Sequence, residues 1–405
     1  MHDEMKYSNI NDIEEYLANL KDIKDSIIIF AIKDTAGYWY NQILQNRMQE
    51  LGFTQNLIKK FMVGYVGVIS NSNVVYESPV EKDKGQKYTG IIEGHRFEVD
   101  SKPFLSGNLA SVKIDDAEYA VNGRGINIVI YNYNERHVID SVCFDTHVKK
   151  LTCKRIERIK LGKKHYDIAL IGCWWGANYG SCLNGYAVYK ILKSFNLDVL
   201  MLHKHDISDN DWEVFNTHNA KFIKKFYPKD EVSPNFKRQS LSQLNEYCDM
   251  FLTGSDQIWN YGINKIFNMV FMLNFVDSTK KKISFGTSFG HKKDGTPNEI
   301  LPYTRGLLRR FQAISVREQS GVEICNEIYG VKARVVVEPV FCLPVYEYEH
   351  LADKSDLSIP SKPYILTYIL DPTDEKRSAI LKYCEMTGMD MINILDGDPR
   401  VYETN

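Results

Sequence analysis

The sequence predicts an α/β protein, in which a helix-covered parallel sheet follows a smaller α+β unit. Three observations carry the prediction. From Tyr166 onward, apolar runs that suit strands alternate with helical stretches, as a parallel sheet requires for its crossovers. Before about residue 147, short alternating runs are separated by Gly, Asn and Asp, the pattern of antiparallel β structure. The length of 405 residues, with 44% hydrophobic and 25% charged, suits a globular chain large enough for two domains at roughly 100–200 residues each.

Residues 12–23 (DIEEYLANLKDI) read as a short helix, and residues 26–32 (SIIIFAI) as a buried strand. Residues 38–51 (YWYNQILQNRMQEL) read as a helix ending at Gly52, a residue that tolerates positive φ just past a helix C-terminus. The β-rich runs that follow are YVGVIS, NVVYES, RFEVDS, ASVKID, EYAVN, GINIVIYN and HVIDSVCFD. Residues 148–164 hold eight Lys/Arg and one Glu and read as a solvated basic linker. The functional alternative for that stretch is peripheral association with an anionic membrane surface.

After the linker come the strand YDIALIG, the loop CWWGANYGS, the helix CLNGYAVYKILKSF and the strand LDVLMLH. DMFLTGSDQIW, KKISFGTSFG and FQAISVRE each read as strand then loop; QSGVEICNEIYG is a helix and ARVVVEPVF a strand. PYILTYIL, a helix over about 373–387 and DMINIL then open a second alternating unit. The expected domains are therefore 1–147, a linker over 148–164, 165–345 and 346–405. Two strands do not bury a sheet of their own, so the last is expected to continue past Asn405.

Fifty Lys+Arg against 52 Asp+Glu give a net charge of −2, which argues against a dedicated nucleic-acid binder. No apolar run approaches the roughly 20 residues that cross a bilayer. The N-terminus, MHDEMKYSNINDIEEYL, is polar and acidic where a secretory signal has a basic start and an apolar centre, which predicts a cytoplasmic location. The eight Cys form no C-x-x-C pair and no zinc-like cluster, so reduced thiols and no metal are expected.

Ligands of open parallel sheets bind outside the carboxyl ends of the strands, and four segments lie there. In residues 173–181 (CWWGANYGS), Gly176 and Gly180 permit close backbone approach and Asn178 precedes a helix. This suits an anion or nucleotide-like ligand, although a plain strand-to-helix turn reads the same way. Residues 254–260 (GSDQIWN) combine Ser255, Asp256 and Gln257 with the indole of Trp259. Carboxylate and amide bind sugar hydroxyls while a ring packs on a pyranose face; a capping Asp256 with Trp259 in the core is the structural alternative. Residues 284–291 (SFGTSFGH) end in His291, a candidate proton donor or a surface group. Residues 314–318 (ISVRE) place Arg317 after an apolar strand, where a guanidinium grips carboxylate or phosphate or forms an ordinary ion pair with Glu318.

Taken in this order, the segments from about residue 165 to 405 resemble the polysaccharide pyruvyl transferase family. YDIALIGCWWGANYGSCLNGYAVYKIL is similar to its opening strand, glycine loop and helix, and FLTGSDQIWN, ISFGTSFG, ISVRE and VVVEPVF to its later segments. Ser181 stands where many members have an acid, and Glu338 where Asp usually precedes the proline; the family's later Arg-x-His segment has no counterpart before Asn405. The resemblance implies two Rossmann-like lobes in a GT-B-type arrangement, phosphoenolpyruvate as donor, no cofactor, and a sugar or lipid-linked oligosaccharide as acceptor. The product is a pyruvate ketal on a bacterial capsule or exopolysaccharide. It further implies that Arg317, projecting into an open crevice, holds the donor. Gly176, Asn178 and Gly180 would line one wall, Ser255, Asp256 and Gln257 would orient hydroxyls beside Trp259, and Asp256 would serve as base; the resemblance assigns no role to His291, which stays a catalytic candidate on its own position.

Residues from about 10 to 147 resemble the interleukin-like EMT inducer or PANDER-like domain, through IIIFAIKDTAGYW, YVGVIS, GNLASVKIDDAEYAVNGRGINIVIYN and VIDSVCFDTH. That resemblance implies a non-catalytic α+β module with a role in carbohydrate recognition. Asn108, Ser111, Asn122, Arg124 and Asn127 are its candidate contacts, or residues that close turns. A catalytically silent glycan-binding scaffold, or a transferase of another group on the same frame, are the alternative functions.

Overall fold

The computed structural model describes residues 6–149, 151–163, 165–174, 178–202, 205–206, 217–234, 236–355, 360–369 and 373–394. The chain divides into two units, one of Met1–Ala169, Pro234–Phe251 and Met272–Lys282, the other of Leu170–Ser233, Leu252–Phe271 and Ile283–Asn405.

In the first unit, α1 (Ile13–Asn19) starts where Asp12 accepts a hydrogen bond from the Glu15 amide. Helix α2 (Gln42–Glu50) starts four residues later than expected because the Asn41 side chain accepts from the Leu44 amide and caps it there. The strands are β1 (Ser26–Lys33), β2 (Val66–Ser70), β3 (Asn73–Glu77), β4 (Gln86–Ile92), β5 (His95–Lys102), β6 (Leu109–Ile114), β7 (Ala117–Glu118), β8 (Gly125–Asn132), β9 (His137–Asp145) and β10 (Thr152–Arg155). They form two antiparallel sheets, in the orders β10-β9-β8-β1-β2-β3 and β4-β5-β6-β7.

Strand β1 is apolar throughout because both of its faces are covered. Ile27, Ile29 and Ala31 pack with Phe97, Val99 and Val112 of the smaller sheet. Ile28, Phe30 and Ile32 pack with Tyr16, Leu17, Leu44 and Met48 of the two helices. This is the period-2 geometry of a strand expressed in a core of three layers. Strand β4 lacked a clear signal because it alternates between exposed and half-buried residues and buries none.

The basic stretch expected as a solvated connector is pinned instead. Thr152–Arg155 pairs with β9. Arg155 donates to Asp140 at 3.1 Å, and Arg158 to Glu246 at 2.7 Å. Two of the eight basic residues of the stretch, Arg155 and Arg158, are thus ion-paired within the fold.

The remaining large sheet has the order β12-β11-β15-β16-β17-β18, built from β11 (Tyr166–Ile171), β12 (Val199–Met201), β15 (Cys248–Asp256), β16 (Lys281–Thr287), β17 (Ala313–Val316) and β18 (Arg334–Val335). Two short strands are β13 (His205–Asp206) and β14 (Phe236–Lys237). Strands β16, β17 and β18 run parallel. Strand β18 is shorter than ARVVVEPVF suggested: it ends at Val335, and Pro339, which has no N–H to pair, begins a 3₁₀ turn.

Helix α3 (Tyr179–Ser194) follows β11 and buries Cys182, Tyr186, Ala187 and Val188. The later helices are α4 (Thr217–Phe226), α5 (Leu301–Leu308), α6 (Gln319–Ile324), α7 (Val345–Asp353) and α8 (Asp374–Thr387). Helix α8 connects β19 (Tyr364–Tyr368) to β20 (Asp390–Ile394), which pair in parallel. Among the described residues no helix is long and apolar enough to cross a membrane.

Candidate functional site

Strand β11 lies between β12 and β15, so the chain leaves it toward one side of the sheet and later builds the other side. Such a switch point opens a crevice at the carboxyl ends of the two strands. Asp256 ends β15 there, with φ at +119°, a strained conformation for a residue that carries a Cβ. Its backbone oxygen accepts from the Ser288 amide at 3.0 Å. Its carboxylate accepts from Ser181 Oγ at 2.5 Å and from the Gln257 amide at 2.8 Å.

Arg317 follows β17 and is held by its amide, which donates to Thr287 O at 3.2 Å. Its Nε donates to Glu318 at 3.0 Å and its Nη1 to Glu338 at 2.7 Å, while Nη2 stands 3.7 Å from Asp256. Asn184 Nδ2 donates to the same Glu338 oxygen at 2.7 Å. Asn184 is buried and its Oδ1 has no hydrogen-bond partner among the described residues, a state that costs about 1–3 kcal/mol.

The expectation that Arg317 projects into an open crevice is corrected by this arrangement. The Arg317 side chain is 17% exposed and is braced by the carboxylates of Asp256, Glu318 and Glu338. One cation among three acids leaves the cluster net negative, and an anion must compete with carboxylates already in place. Nearby, burial and then the Asp256 charge push the Cys173 thiol well above its usual range, so it offers no ready thiolate.

The other residues singled out in the sequence fall into four groups. Asn178 and Gly180 are near the cluster: Asn178 Oδ1 caps α3 by accepting from the Ser181 amide at 3.1 Å, and Gly180 lies beside that oxygen. Gly176 lies outside the described residues; Ser255 sits in β15, and only its backbone is described.

His291 belongs to the rim of a cleft of about 520 Å³, lined by Gly290, His291, Lys292, Glu318, Ser320 and Glu323 among others, and Gln257 approaches that rim at Gly290. Gly290 has φ of +75°, and a Cβ on it would meet Gln257 Oε1 at 2.6 Å, so glycine is required for that approach.

Trp259 is a correction. It is fully buried, packs edge-on against Phe289 and Phe311, and donates its indole N–H to Phe271 O at 3.0 Å. Its ring is a core ring and has no face to offer a sugar.

Ser181, Asn184, Glu318 and Glu338 are the members of the cluster that motif reading did not select as site residues, with Glu318 read only as an ion-pair partner of Arg317. The available signal was positional: Ser181 and Asn184 are three apart on a helix that follows the glycine loop, and Glu338 precedes the proline after a strand.

A model of the polysaccharide pyruvyl transferase family matches residues 178–402, more than half of the 405-residue chain. The chain belongs to the polysaccharide pyruvyl transferase family. No curated protein and no solved structure gives a match. The stretch shared with the pyruvyl transferases begins at the cap of α3 and contains Ser181, Asn184, Asp256, Arg317 and Glu338. The two antiparallel sheets precede it, so the pyruvyl transferase match says nothing of their role. Membership points to a transferase that acts on a sugar acceptor.

Proposed function

We propose that the protein transfers a pyruvyl group from phosphoenolpyruvate to two hydroxyls of a sugar, forming a ketal during synthesis of a bacterial surface polysaccharide. The supporting observation is the Ser181–Asp256–Arg317–Glu338 constellation at the switch point of the sheet, inside the stretch shared with the family.

In the first step the enol carbon takes a proton and a sugar hydroxyl attacks the adjacent carbon, giving up its own proton. The bond to phosphate then breaks, and the second hydroxyl closes the ketal as its proton passes to the departing phosphate. Asp256 is the base for the attacking hydroxyl, and His291, exposed on the cleft rim, protonates the enol carbon. Arg317 meets the donor through its Nη2 end and stabilises charge on the leaving phosphate. Gly176, Asn178 and Gly180 shape one wall; Ser255 and Gln257 orient hydroxyls. No cofactor takes part.

In the same reading the matched region forms two GT-B-type lobes, and the N-terminal region is an interleukin-like EMT inducer module that recognises carbohydrate. The acceptor is a sugar or lipid-linked oligosaccharide at the cytoplasmic face. Of the contacts considered for the N-terminal module, Asn127 Oδ1 accepts from the Gly123 amide and Asn122 Oδ1 from the Ala110 amide, so both also hold loops of the module.

The test is incubation of the protein with phosphoenolpyruvate and a panel of lipid-linked sugars, following phosphate release and a mass gain on the glycan. Phosphate released in step with the mass gain is the expected result. No turnover with any acceptor sinks the proposal. A second reading, a glycan-binding scaffold without catalysis, is favoured by the net negative surroundings of Arg317, which suit hydroxyls better than a polyanion. Sugar binding without measurable affinity for phosphoenolpyruvate would select it.

A further inference from the structure

We infer that Asn184 and Glu338 are positioning residues that aim Arg317 at the reacting atoms, and that one turn of α3 sets the spacing of the constellation. This rests on the reading above, in which the donor anion meets Arg317.

Ser181 and Asn184 are three residues apart, so they share a face of the first turns of α3. Ser181 holds Asp256 at 2.5 Å and Asn184 holds Glu338 at 2.7 Å. Those two acids flank opposite ends of the guanidinium, Glu338 at Nη1 and Asp256 across 3.7 Å at Nη2. With Nε also bonded to Glu318, the plane of the guanidinium is set by two bonds. Its Nη2 hydrogens make no hydrogen bond among the described residues and face Asp256, where a donor carboxylate or phosphate would complete the fork.

Asn184 is 4% exposed, and its Oδ1 is unpartnered among the described residues. A leucine there would avoid a buried, unpaired acceptor, so packing alone gives no reason for an amide. The bond from Nδ2 to Glu338 gives one.

The experiment measures phosphoenolpyruvate affinity by calorimetry for the full chain, Asn184→Leu, Glu338→Ala and the double variant, with thermal midpoints recorded for each. Asn184→Leu changes no charge, so a loss of affinity reports lost aim and not altered electrostatics. We expect Asn184→Leu to weaken binding about tenfold, roughly 1.4 kcal/mol, without lowering the thermal midpoint. In turnover the change should fall on the KM for phosphoenolpyruvate and not on that for the sugar. In the Glu338→Ala background the same substitution should change affinity by less than about twofold, because the group through which Asn184 acts is gone.

Asn184→Ala is the second variant should the leucine disturb folding. Unchanged affinity in a folded Asn184 variant, or an equal loss with Glu338 absent, overturns the inference. Arg317→Ala binding phosphoenolpyruvate as tightly as the native protein overturns the donor assignment beneath it.

Discussion

A guanidinium among carboxylates is aimed more firmly than one in water, but it is less attractive to anions. Arg317 has both properties, and they pull donor binding in opposite directions. Another charged residue whose surroundings decide its behaviour is His147. Its ring lies 3.6 Å from Asp34 and 3.5 Å from Asp145, with neither nitrogen hydrogen-bonded among the described residues. Burial, and then the Arg124 charge, hold its pKa below the ordinary value of 6.5, against the pull of the two acids. The folded chain therefore takes up this proton less readily than the unfolded chain, and stability is lost as pH falls below about 6.5. Thermal midpoints between pH 7.5 and 5 should fall more steeply for the native protein than for His147→Gln; parallel curves would show that His147 contributes nothing to the pH dependence.

Among the elements, the carboxyl ends of the parallel strands depend on close backbone approach. A Cβ on Gly254 would stand 2.9 Å from Phe285 O on the neighbouring strand, and backbone cannot move aside as a side chain can. Gly254→Ala should cost about 1–3 kcal/mol, by analogy with an overpacked core. Because Asp256 lies two residues on, the variant should also lose activity; a thermal midpoint within error of the native one would contradict this account of the strand ends.

Most strands and helices were legible because their pattern follows from local burial: β1, β8 and β11 are nearly continuous apolar runs. Those that escaped were set by other forces. Strand β4 buries no residue, Thr152–Arg155 is recruited by β9 from a basic stretch, and the start of α2 is decided by the Asn41 cap.

For the whole molecule, stability is distributed unevenly. Strand β8 sits between β1 and β9, and its first seven residues are buried. The pair β19 and β20 forms a two-stranded sheet, and α8 between them buries none of its residues. Backbone hydrogen bonds with so little cover open at low cost. In hydrogen exchange, amides of Tyr364–Tyr368 and Asp390–Ile394 should exchange well before those of Gly125–Asn132. Equal protection would mean that this segment is covered in solution.

The sequence by itself determined the class of the fold, the order of its strands and helices, and a short set of strand-end segments that includes Asp256 and Arg317. These properties depend on hydrophobic periodicity and on glycine at turns, which a chain carries locally. Tertiary structure alone decided that Trp259 is core, that Arg317 is braced by Asp256 and Glu338, and that Ser181 and Asn184 hold those acids. Each of these is a contact between residues far apart in the chain. Burial and ion pairing are properties of the space around a side chain, and residue spacing along a sequence does not encode that space.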